Sequence, residues 1–173
     1  MSEASVEVLL DDFEDKGNWE LDGAGAERTH LTTFAEGAPN KELASFADGA
    51  AGRDYRALVL LIRRAADDFE VDLVAKAGRP FTIAGELTAL RLWVRSPHAA
   101  IRVHARLESE QGSAQAQFGN VPAGGEWQHV ELEVPQPMTD ASLVGLRVRL
   151  MHVVKQQGEV MILLDDLTAT TTR

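Results

Sequence analysis

Short runs of alternating apolar and polar residues recur along most of the chain. Over 101–107, Ile101, Val103, Ala105 and Leu107 fall on one side and Arg102, His104 and Arg106 on the other. A period of two marks a strand with one wet face. The same alternation sets Leu146, Val148 and Leu150 opposite Arg147 and Arg149 in a strand predicted over 143–152. Phe69, Val71 and Leu73 mark another, and further strands are predicted over 6–10, 87–94 and 160–167. Residues 57–62 are apolar at every position, which predicts a strand buried on both faces. Val130, Leu132 and Val134 predict a strand closed by Pro135 and Pro137, because proline brings no N–H to a ladder.

Turn residues separate these runs: Gly17 and Asn18 before Trp19, Ser96 to His98 with Pro97 between them, and Gly124 and Gly125 before Trp127. Residues 21–52, rich in Gly, Ala and Asp and containing Pro39, predict a long excursion with one or two short strands. A helical pattern at 41–46 is weak. Roughly eight to ten strands without a long helix predict an all-β fold, a two-sheet antiparallel β-sandwich. No internal repeat or linker divides the sequence, so one domain is expected over 1–173.

A chain of 173 residues can bury a core without covalent staples. Cysteine is absent, which excludes disulfides, thiolate metal sites and cysteine nucleophiles. With 17 basic against 27 acidic residues the formal charge is -10, so nucleic acid and anionic membrane are repelled on average. No stretch has the length of a membrane span, and no membrane insertion is expected. The first residues lack the basic start and apolar run of an export signal. The expected location is cytoplasmic if the sequence is complete, and periplasmic or extracellular if a leader has been removed.

Carboxylates cluster at both ends: Asp11, Asp12 and Glu14 near the start, Asp165 and Asp166 near the finish. If both ends join one body, these acids meet, and hard oxygens suit calcium. Glu14 and Asp165 are the preferred ligands, with Asp12, Asp11 or Asp166 as additions; the bland alternative is acids that cap turns or face water. Paired acids also serve glycoside hydrolysis, but nothing places Glu108 with Glu131, or Asp12 with Asp165, across a cleft. Arg102, His104, Arg106, Arg147 and Arg149 form a candidate ligand or partner face, set against an ordinary solvated sheet. Trp127, just after a turn, is added to that face, whereas Trp93 sits in an apolar run and is expected in the core. The five histidines have no metal-ligand spacing, and no phosphate loop or nucleophile elbow occurs. No catalytic residue is assigned and no enzyme activity is expected.

The segment from Leu9 and Leu10 through Asp11, Asp12, Phe13 and Glu14, followed by Asn18, Trp19 and Gly23 to Ala26, resembles the opening of family 11 carbohydrate-binding modules. The ending at Leu164, Asp165, Asp166 and Leu167 resembles theirs as well. That resemblance implies a galactose-binding-like jelly roll with a structural calcium near its joined ends and a sheet that takes β-glucan. The middle resembles the spirochaete flagellar outer-layer, or sheath, proteins. It does so through Glu36 to Leu43, Ala57 to Leu60, Pro80 to Gly85, Leu90 to Val94, and Gly125 to Trp127. This second resemblance implies a non-enzymatic periplasmic protein that packs against other subunits, with Trp93 and Trp127 supporting the sandwich. The expected role is therefore structural association with protein subunits of a surface or flagellar assembly. The alternative is a carbohydrate-binding module for a β-glucan-like polysaccharide, which should offer a groove with convergent aromatic and polar groups.

Overall fold

The computed structural model describes residues 5–11, 13, 17–23, 25–34, 57–76, 80–110, 112–154 and 159–172. The alternating runs become strands: β1 (Ser5–Asp11), β2 (Trp19–Asp22), β3 (Thr29–Phe34), β4 (Ala57–Ile62), β5 (Glu70–Ala75) and β6 (Phe81–Thr82). The second half supplies β7 (Glu86–Arg95), β8 (Ala99–Ser109), β9 (Gly112–Val121), β10 (Gln128–Thr139), β11 (Ser142–Val153) and β12 (Val160–Thr172). The helical content of the described residues is one 3-10 turn, Ala26–Arg28.

The strands form two sheets with antiparallel pairing throughout. One runs β10-β7-β12-β4-β3, with β1 beside the later part of β12; the other runs β2-β5-β11-β8-β9, with β6 beside the start of β11. Alternation then decides what is buried. Leu58, Leu60, Leu90, Leu92, Ile162 and Leu164 face inward from the first sheet, and Leu73, Ile101, Val103, Leu146 and Val148 from the second. All have 0% exposure, so trimming one, as in Leu92→Ala, costs about 2–5 kcal/mol. The continuous apolar run of β4 also has its reason. Ala57 and Val59, on its other face, form a second buried cluster with Leu163, against which Leu61, Met161 and Trp127 pack.

The chain closes on itself. Val8 pairs with Ala169, Leu9 with Thr168, and Asp11 with Leu167, so the opening and closing acidic segments share one sheet. Both are irregular there: register shifts fall between Leu9 and Asp11 and between Asp165 and Thr168. Asp166 and Phe13 take left-handed φ values of 41° and 54°. Such bulges bend the strands and re-aim side chains at the end of a ladder.

Two expectations change, one strand comes without a forecast, and one expectation lies outside the described residues. Pro135 and Pro137 do not close their strand; β10 continues through them to Thr139. It lies at a sheet edge and slips register against β7 between Glu133 and Met138, so the missing N–H groups break no ladder bond there. Strand β9 lacks a sequence signal because Ser113, Ala114, Gln115 and Gln117 are weak strand formers; pairing with β8 holds it. Trp93 is not in the core. It points outward from β7 and stacks on His129 at 4.4 Å between ring centroids, 4° from parallel. The suggested helix at 41–46 lies outside the described residues.

Candidate ligand-binding face

The outward alternates of β5, β11, β8 and β9 make one continuous polar surface. Strand register fixes the rows: Asp72, Arg147, His104 and Gln117 lie side by side, as do Glu70, Arg149, Arg102 and Asn120. Arg106 stands next along β8, beside Gln115. Five of the predicted face residues, Arg102, His104, Arg106, Arg147 and Arg149, are thus brought together. Trp127 is not among them, because it packs on the outer side of the other sheet.

Charges on this surface are ordered. Arg147 grips Asp72 bidentately, with Nε to Oδ1 at 2.8 Å and Nη2 to Oδ2 at 3.3 Å, and Nε lies 3.6 Å from Glu70. The Asp72 hydrogen bond, then its charge, raises the Arg147 pKa above its ordinary value. Arg149 reaches Asp68 at 3.0 Å and Glu70 at 3.8 Å. On β8, Arg102 donates from Nε to the amide oxygen of Asn120 at 2.6 Å. Burial, then the charges of Arg147 and Arg102, lowers the His104 pKa, which keeps the imidazole neutral.

At the β5 side the surface opens into a cleft of about 470 Å³ lined by Gly23, Gly25, Arg28, Phe69, Asp72 and Arg147, among others. Two glycines let the β2–β3 connection approach β5 closely. Gly23 takes φ +83°, and a Cβ on Gly25 would collide with the Glu70 carbonyl oxygen and the Phe69 ring. The Arg28 guanidinium sits 5.4 Å from the Phe69 ring centroid and donates to the Arg64 carbonyl at 3.0 Å. The cleft therefore combines an aromatic ring, two guanidiniums and carboxylates. Arg28, Phe69 and Asp72 were not expected from sequence. Asp72 carried a signal, as a polar position between Val71 and Leu73, but its partner on β11 is set by strand order.

Of the paired acids considered for glycoside hydrolysis, Glu108 and Glu131 do not face one another, and Asp12 lies outside the described residues. Glu108 points outward from β8, and Glu131 points outward from β10 in the other sheet, ion-paired with Arg91 at 3.0 Å. At the joined ends, Asp11, Asp165 and Asp166 are all buried. Asp11 accepts from the Phe13 N–H at 3.0 Å and from the Trp19 indole; Asp165 accepts from the Asp166 N–H at 3.0 Å. Among the described residues no group of three or more acidic or histidine side chains is placed to hold a metal ion. Asp12 and Glu14 lie outside the described residues, so the described acids alone do not complete a coordination set.

The architecture belongs to a recognised class: an all-β, two-sheet jelly roll of the carbohydrate-binding-module type. A family 61 carbohydrate-binding module solved with β-1,4-galactotriose matches with TM-score 0.52 and 13% identity, over 94% of this chain and 91% of that one. A family 29 module matches with TM-score 0.54 and 12% identity, over 98% and 90%. The family 11 module of the cellulosomal cellulase Lic26A-Cel5E of Clostridium thermocellum matches with TM-score 0.52 and 14% identity, over 98% and 96%. The sequence matches no protein-family model and no curated protein.

Proposed function

We propose that this protein is a non-catalytic carbohydrate-binding module whose glycan lies across the outer face of the β2-β5-β11-β8-β9 sheet and enters the Phe69 cleft. The observation that carries this reading is the convergence, in one open cleft, of the Phe69 ring with Arg28 and the Asp72–Arg147 pair. A sugar presents an apolar ring face and a rim of hydroxyls; a recess with one aromatic wall and a few fixed polar groups suits both. The shared fold with carbohydrate-binding modules supports it. Phe69 itself packs against the core beneath Arg28; Trp93, stacked on His129, and Trp127, on the Val59 and Leu163 cluster, lie with the other sheet, away from this cleft.

The role in a flagellar sheath or other surface assembly has the sequence resemblance alone behind it, so the glycan reading is preferred. We also propose a structural calcium at the joined ends, with Glu14 and Asp165 as its first ligands and Asp12, Asp11 or Asp166 as additions.

Affinity electrophoresis against a panel of soluble polysaccharides tests the glycan reading. Retardation by at least one glycan, abolished in Phe69→Ala but retained in Trp93→Ala, is expected. No retardation by any polysaccharide, with the protein folded, overturns it.

A further inference from the structure

We infer that the glycan is acidic: Arg102 and Arg106 of β8 receive the carboxylates of a uronate-bearing polysaccharide, while Gln115, Gln117 and Asn120 of β9 bind its hydroxyls. This inference rests on the carbohydrate-binding reading and adds the class of sugar and a second zone of contact, away from the Phe69 cleft.

The argument begins with charge balance along the rows. The β11 arginines are matched by acids on the β5 side: Arg147 by Asp72 and Glu70, Arg149 by Asp68 and Glu70. One strand further, the matching stops. No carboxylate among the described residues pairs with Arg102 or Arg106; Arg102 is held by the Asn120 amide oxygen, which orients the guanidinium without neutralising it. Between them, His104 is kept neutral by burial and then by the positive field of Arg147 and Arg102. In a protein of net charge -10, two guanidiniums on this strip of the face thus have no ion-pair partner among the described residues, although Glu108 follows Arg106 as the next outward residue of β8.

Geometry gives the strip a direction. Arg102, His104 and Arg106 are alternate residues of one strand, so the two arginines stand about 13 Å apart along β8. Beside them, Gln115 lies opposite Arg106, Gln117 opposite His104 and Asn120 opposite Arg102, all three exposed. Strand β9 ends the hydrogen-bonded order of this sheet. A guanidinium presents a planar fork that fits a carboxylate through two parallel hydrogen bonds. A side-chain amide carries donors and an acceptor, which suits hydroxyl groups that do both. A neutral chain laid here would cover two arginine charges and give them no counter-charge, at a desolvation cost. A chain with spaced carboxylates meets both demands.

The test compares a linear oligogalacturonate with a β-1,4-galacto-oligosaccharide of matched length by isothermal titration calorimetry, with polyglutamate as a control polyanion. Oligogalacturonate binding is expected, weakening as salt is raised. Arg102→Gln and Arg106→Gln should each lose about tenfold or more in affinity for it while retaining wild-type unfolding curves. Binding of the neutral chain but not the oligogalacturonate overturns the acidic-sugar inference and leaves the carbohydrate-binding reading standing. Binding of neither sugar by folded protein overturns the acidic-sugar inference, and the polysaccharide panel then decides the carbohydrate-binding reading. Equal binding of polyglutamate, or oligogalacturonate binding that both substitutions leave unchanged, overturns the assignment to this strip.

Discussion

The indole N–H of Trp19 donates to the carboxylate of Asp11, tying the first residue of β2 to the last residue of β1. Those strands belong to different sheets, so the bond links the two layers where the opening segment leaves the sandwich edge. Asp11 also accepts from the Phe13 N–H, and the Trp19 ring lies between Phe13 at 5.7 Å and Phe81 at 5.0 Å. Replacing Asp11 by Ala leaves two buried donors without this acceptor. The unfolding free energy should fall by about 1–3 kcal/mol, measured by denaturant unfolding in chelator. An unchanged midpoint would show that the linkage contributes nothing.

Asp72→Asn separates binding from stability. Asp72 is 10% exposed at its side chain, but its partner Arg147 is 34% exposed and also lies near Glu70. Water and Glu70 can replace much of the lost pairing, so the stability cost should stay near 1 kcal/mol or less. Glycan affinity should fall about tenfold or more, a loss of about 1.4 kcal/mol, because the cleft loses the group that orients Arg147. Calorimetric titration alongside a thermal melt reads both. A large drop in stability with no change in affinity would place Asp72 in the scaffold rather than the site.

Much of this arrangement was legible in the sequence, and its failures have physical causes. Alternation located the β8 and β11 arginines on wet faces, and strand pairing then set them side by side. The matched acidic ends raised the closing of the chain on itself, but the β1–β12 pairing came from the fold. Trp93 misled because its neighbours Leu92 and Val94 are core residues; period two puts Trp93 itself on the opposite side, with Arg91 and Arg95. The Phe69 cleft was not legible because it depends on Gly25 letting a distant loop approach β5. That is a tertiary contact, and no local pattern encodes it.

Acidification should destabilise the fold through two histidines. Burial, then neighbouring arginines, lowers the folded-state pKa of His104; burial, then Arg91, lowers that of His129. Around His104 the arginines are Arg147, Arg102 and Arg149, with Glu70 opposing them; around His129, Glu7 and Glu131 oppose Arg91. The unfolded chain binds protons first, near pH 6.5, while the folded chain still resists them. This stabilisation is complete above that value and is lost as pH falls through the lowered folded-state values. Melting temperature should decline from about pH 7.5 to about pH 5, and His104→Gln with His129→Gln should flatten the decline. A double variant as pH-sensitive as the parent would assign the effect elsewhere.

The acids at the β1–β12 junction give the last prediction. Asp11, Asp165 and Asp166 are 6%, 0% and 1% exposed and lie around paired bulges of one sheet. Buried carboxylates are costly unless hydrogen bonds or a cation offset them. Hydrogen bonds from Phe13, Trp19 and the Asp166 N–H supply part of that offset. Calcium bound at the folded junction, at a hundredfold excess over Kd, would stabilise the fold by about 2.7 kcal/mol. That corresponds to roughly 5–10 °C in a chain of this size. The protein should melt higher in calcium than in chelator, and Asp165→Asn should shrink the difference while magnesium fails to reproduce it. Superimposable melts in calcium and chelator would mean that hydrogen bonding alone maintains the closed ends.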